Sequence, residues 1–152
     1  MSKFVKHASF EEMMCTLEGI VAKGGSMSFI PAGKSMLPTI RDKKDLVTIS
    51  PANDIKKYDI VLYRRKNGKY VLHRVVKILN NNSYMMCGDS QFLLEYPVER
   101  QYIIGKVSKI KRGKRETDCE NLNFFENLYV HLWDLRLILD KGLYILKMKK
   151  GF

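Results

Sequence analysis

A succession of short β-forming runs, broken at close intervals by turn residues, constrains this chain more than any other feature. MSFIPA (27–32), DLVTIS (45–50), DIVLYRR (59–65), KYVLHRVVKIL (69–79), SYMMCG (83–88) and YIIGKVSKI (102–110) are rich in β-branched and aromatic residues. Turn signals separate several of them: Pro51-Ala52-Asn53-Asp54, Lys66-Asn67-Gly68-Lys69 and Asn80-Asn81-Asn82-Ser83. Asn67-Gly68 between two such runs is a hairpin signal, because both residues tolerate a positive φ. Many short strands with so little helical sequence between them predict a mainly β (α+β) fold. The expected form is a coiled antiparallel sheet or partial barrel.

Helical patterns flank the sheet. Ser9 and Glu12 have the spacing of a capping box, which satisfies orphan amides at a helix start. The helix is expected to carry Met13, Leu17, Ile20 and Val21 on one face and to stop at Gly24-Gly25. After Arg115 the composition shifts, and Phe125, Leu128, Leu132, Leu135, Leu139 and Leu146 recur at helical spacing. Two readings of this C-terminal amphipathic helix stand. It packs on the sheet or a partner, or it lies in a membrane interface with Trp133, Tyr144 and the terminal lysines at headgroup level. The expected organisation is an N-terminal helix plus β domain over residues 1–115 and a helical extension over 116–152.

The net charge of +11 favours an anionic partner: nucleic acid, an anionic membrane surface or an acidic protein. Lys106, Lys109, Lys111, Arg112, Lys114 and Arg115 form one basic cluster, and Lys141, Lys147, Lys149 and Lys150 another. Aromatic residues do not interleave with the first, and no zinc-finger spacing or basic heptad region occurs, so nucleic acid is not the expected partner. Cys15, Cys87 and Cys119 include no CxxC pair, which argues against a disulfide framework or a structural zinc and fits a reducing compartment. The N-terminus lacks the apolar core of a signal peptide, and no run approaches the ~20 apolar residues that span a bilayer. The chain is expected to be cytoplasmic, with peripheral membrane contact through its basic C-terminal helix.

One stretch invites chemistry. GKSMLPTIRD (33–42) sets Ser35 between a glycine and a methionine ahead of Leu-Pro-Thr. A serine hydroxyl needs a base to act as a nucleophile at neutral pH. His7 lies in the N-terminal segment and His131 in the C-terminal helix, whereas His73 lies inside the strand pattern VLHRVVKI. Alternation places Tyr70, Leu72, Arg74 and Val76 on one face and Val71, His73, Val75 and Lys77 on the other. Cys87-Gly88-Asp89-Ser90 adds an acid after a further run. Ser35, His73 and Asp89 then make a parts list for nucleophile, base and orienting carboxylate. A histidine on a strand and a Gly-Asp turn are each more often structural than catalytic, so it is their combination with Ser35 that matters.

GKSMLPTI, DIVLYRR, VLHRVV, CGDS and YIIGKV occur in the order found in type I signal peptidases and their relatives, a group of serine peptidases. Over about Met27 to Ile110 the chain resembles that group, and most closely its endoplasmic-reticulum branch, which has histidine where bacterial members have lysine. The resemblance implies a coiled all-β fold with Ser35 as nucleophile, His73 as general base and Asp89 on the acid side of the site. In the histidine branch a second aspartate follows the Gly-Asp element. This chain has Glu95 there, so Glu95 is the alternative carboxylate and Asp89 the preferred one. Gly33, Ser35, Met36 and Pro38 fall at the oxyanion and substrate-binding positions. No metal or cofactor is expected. The implied activity is cleavage of leader or signal peptides, without the family's usual transmembrane anchor. Two other readings remain open: a self-cleaving repressor-type peptidase, and a non-catalytic module with a basic face for nucleic acid or lipid.

Overall fold

The computed structural model describes residues 9–80 and 82–121, and beyond these only 128, 130–133, 135, 136, 138, 139, 141 and 142. Helix α1 spans Phe10–Ala22. Its start is the expected capping box: the Glu12 N–H donates to Ser9 Oγ at 3.2 Å, and the Ser9 N–H to Glu12 Oε2 at 2.8 Å. Gly24, at φ +85°, lets the chain leave the helix, and the Gly25 N–H caps Ile20 O at 2.9 Å. Met14, Leu17 and Val21 form the buried stripe, with Met13 packed beside them. Ile20 is half-buried, so the contact face is turned slightly from the expected one.

Eight antiparallel strands follow: β1 (Met27–Phe29), β2 (Leu46–Ser50), β3 (Ile60–Arg64), β4 (Tyr70–Leu79), β5 (Ser83–Cys87), β6 (Glu95–Glu99), β7 (Ile103–Arg112) and β8 (Arg115–Asp118). The fold is mainly β, and the order across the sheet is β1-β2-β7-β3-β4-β5-β6, with β8 also paired to β7. β2 and β3 are consecutive in the chain but not neighbours. The late strand β7 lies between them, pairing with β2 through Ile110 and Val47 and with β3 through Gly105 and Leu62.

The pleat divides the core. Ile60 and Leu62 of β3 join Met14, Leu17, Val47, Ile49 and Val107 beneath α1. Val61 and Tyr63 join Val75, Tyr84, Met86 and Ile103 on the other face. A strand buried on both faces reads as an unbroken apolar run, which is what IVLY is. Along β4 the expected alternation holds from Tyr70 to Val75, and then a bulge between Val75 and Lys77 shifts the register with β5.

Part of the basic cluster on β7 and β8 is paired: Lys106 with Glu120 at 2.8 Å, Lys109 with Glu116 at 2.9 Å, and Arg112 with the buried Asp45 at 2.7 Å. Burial alone raises the Asp45 pKa, but hydrogen bonds from Arg112 and Arg41 outweigh it and hold the carboxyl well below the usual range.

Most of the expected C-terminal helix lies outside the described residues, as do Lys147, Lys149 and Lys150. Of that stretch, Leu132 N–H donates to Leu128 O and Arg136 N–H to Leu132 O, each at 3.0 Å. Val130 and Trp133 are buried, while Leu128, Leu132, Leu135 and Leu139 are exposed. Among the described residues no helix is long and apolar enough to cross a membrane.

Candidate active site

Ser35 sits in the turn that joins β1 to β2. Met36 and Ile40 pin that turn to the core beneath α1, and the loop after β5 holds its backbone. Ser90 N–H donates to Ser35 O at 2.9 Å, and Ser90 Oγ donates to Lys34 O at 2.7 Å. Gly88 marks how closely these segments meet. A Cβ at residue 88 would lie 2.6 Å from Ser35 O and 3.1 Å from His73 Nε2, so only glycine fits between serine and histidine. Ser35, His73, Gly33, Met36, Arg65 and Gln91 line one cleft of about 250 Å³, whose apolar wall includes Phe10 and Met14 of α1 with Phe29 and Leu72. Among the described residues no hydrogen bond joins Ser35 Oγ to His73, and apo sites commonly hold such pairs apart until substrate closes them.

His73 is 2% exposed on the face of β4 that also carries Val71 and Val75. It pairs in register with Val61, which places Tyr63 diagonally beside it. Tyr63 Oη lies 3.2 Å from His73 Nδ1, and Tyr63 Oη donates to Glu95 Oε2 at 2.9 Å. Glu95 Oε1 is itself 3.6 Å from Nδ1. Burial tends to raise the Glu95 pKa, but the hydrogen bonds from Arg65 and Tyr63 win, and the carboxyl is held below its ordinary value. An ionised Glu95 can only accept, so the single Tyr63 proton goes to it. Tyr63 Oη then accepts from His73 Nδ1–H, which leaves Nε2, the nitrogen beside Gly88, as a bare acceptor. Arg65 fixes the far side of Glu95 with two hydrogen bonds, the one from Nε at 2.9 Å.

Burial pushes the His73 pKa down to about 4 against the opposing pull of Glu95, so the imidazole is neutral at pH 7. Burial likewise pushes the neighbouring Cys87 up to about 11, and its single S–H proton is shared between Gln91 O and Leu93 O. It remains a thiol and does not compete as a nucleophile.

Asp89 does not hydrogen-bond to His73. Its carboxylate is fully buried and accepts from Arg74 Nε at 2.8 Å, Arg74 Nη2 at 2.6 Å, Trp133 Nε1 at 3.0 Å and the Thr39 hydroxyl. The preferred acid of the sequence therefore sits in a separate cluster, and the alternative, Glu95, stands beside the histidine.

The other positions are distributed as follows. Gly33, at φ +124°, gives its N–H to Asp42 Oδ1 at 2.8 Å, so that amide is engaged away from any oxyanion. Pro38 does not line the cleft. It faces a larger hollow of about 1230 Å³ lined by Lys56, Tyr58, Lys106 and His131, which holds none of Ser35, His73 or Glu95. Sequence reasoning missed Tyr63, Arg65 and Gln91. The hairpin signal at Asn67-Gly68 is what leads to Tyr63, because the hairpin register puts it on the face of His73. No protein-family model matches the chain, and no curated protein matches it. Among the described residues no group of histidine, cysteine and acidic side chains has the arrangement of a metal site.

Proposed function

We propose that the chain is a serine endopeptidase of the signal-peptidase type that cleaves leader or signal peptides, with Ser35 as nucleophile and His73 as general base. Glu95, acting through Tyr63 as well as directly on the imidazole, is the orienting carboxylate in place of Asp89. The observation that carries this reading is geometric: Tyr63 Oη lies 3.2 Å from His73 Nδ1 and bonds Glu95, which assigns the proton to Nδ1, while Nε2 faces the loop that grips Ser35. His73 Nε2 accepts the Ser35 proton as Oγ attacks a peptide carbonyl. The imidazolium, stabilised by Glu95, then gives that proton to the departing amine, leaving an acyl-serine. Water, deprotonated by the same nitrogen, releases the acid and restores the serine. Ser35 N–H is the first oxyanion donor, and the Gln91 side chain lines the same cleft.

A serine-directed acylating probe is expected to label the wild-type chain at Ser35. Labelling is lost in Ser35→Ala and reduced in His73→Ala. Undiminished labelling of the Ser35→Ala variant, read by mass spectrometry of the modified peptide, would sink the proposal.

A further inference from the structure

Asp89, free of the role beside His73, ties together parts of the chain far apart in sequence. Thr39 belongs to the turn that contains Ser35, Arg74 follows His73 on β4, and Trp133 comes from the C-terminal extension. The next residue, Ser90, holds the carbonyls of both Lys34 and Ser35. Trp133 is 2% exposed, and its indole N–H can only donate. Its acceptor is Asp89 Oδ1, an oxygen that also takes Arg74 Nε.

A buried carboxylate with both oxygens engaged has one arrangement, and the loop that carries it is fixed with it. We infer that Trp133 is a positioning residue for Ser35. Through Asp89 it fixes the 88–90 loop, and that loop sets the height of the serine's backbone in the cleft. The inference rests on the reading of Ser35 as nucleophile. It gives the C-terminal extension a part in the activity although none of its described residues lines the cleft. The extension also turns Leu132 outward at 49% exposure, which supplies a control on the opposite side.

Trp133→Phe keeps an aromatic ring in place and removes the donor together with part of the buried indole. With a fluorophosphonate in excess, the limiting rate of Ser35 acylation is expected to fall about tenfold, while the half-saturating concentration stays unchanged. Leu132→Ala leaves both values at wild type. A limiting rate per folded molecule equal to wild type in Trp133→Phe overturns the inference, because a residue that only stabilises lowers the folded fraction and nothing else. Trp133 is also the one tryptophan in the sequence, so its emission reports this contact directly. Ser90→Ala, which removes the bond to Lys34 O, is expected to shift that emission in the folded protein, and an unchanged spectrum overturns the coupling. This second measurement needs no acylation. A wild-type chain that is not labelled at Ser35 defeats the peptidase reading, whereas a silent tryptophan defeats the link.

Discussion

His73 and Arg74 are adjacent on one strand, and each has its own carboxylate. The histidine has Glu95, whose side chain is 29% exposed and shared with Tyr63 and Arg65 at the edge of the cleft. The arginine has Asp89, wholly buried and surrounded by donors from three segments. The pleat of β4 separates them, because neighbouring residues on a strand point to opposite faces. The difference teaches that an acid close in sequence to a site can belong to the architecture behind it. The acid six residues further on can belong to the chemistry.

Exchanging the two carboxylates gives the largest expected effects. Glu95→Gln is expected to lower the acylation rate about 10²–10⁴-fold while changing unfolding stability by no more than about 1 kcal/mol, since its ion pair is half-exposed. Asp89→Ala removes the counter-charge of the buried Arg74 and the acceptor of the Trp133 N–H, and is expected to cost about 3–5 kcal/mol in a urea denaturation. A Glu95→Gln protein with unimpaired acylation would erase the distinction between the clusters.

Acid sharpens it further. His73 has a folded pKa of about 4 and an ordinary value of 6.5, so between those limits the unfolded chain binds more protons than the native one. Its contribution is complete above pH 6.5 and is lost as pH falls toward 4, a loss of about 3 kcal/mol. The acid limb of acylation has its midpoint near 4 on the same grounds, not near 6.5. Glu95→Gln removes a charge that favours imidazolium and so moves that limb lower still. A midpoint that rises in this variant would contradict the placement of Glu95.

The smallest expected change comes from Tyr63→Phe, which removes the hydroxyl between Nδ1 and Glu95 and should slow acylation about fivefold to tenfold. A rate equal to wild type would mean that Glu95 alone orients the ring.

Much of this fold is legible in the residues. The β-rich runs, the Asn67-Gly68 hairpin and the Ser9–Glu12 cap all appear at the expected places because local chemistry dictates them. The β4 alternation already separates His73 from Arg74. The choice between Asp89 and Glu95 is not local. It depends on how the 88–94 loop returns to pair Glu95 with Met86. It also depends on the need of a buried Arg74 for a counter-charge, which the nearer acid meets first. In sequence Trp133 lies in a helical pattern open to two readings, packing on the sheet or a partner and lying at a membrane interface, and only the tertiary arrangement brings its N–H to Asp89.

The order of strands also bears on synthesis. The serine's turn belongs with β1 and β2, the histidine with β3 and β4, and nothing pairs those two groups until β7 enters between them. A ribosome delivers β7 after Ser35, His73 and Glu95 have all emerged. During that interval β3 to β6 can pair and bring the imidazole and the carboxylate together, but no strand of the sheet yet joins them to the serine's turn. Contacts so distant along the chain form late. A growing chain therefore passes through its most exposed stage before the serine's turn has met the histidine.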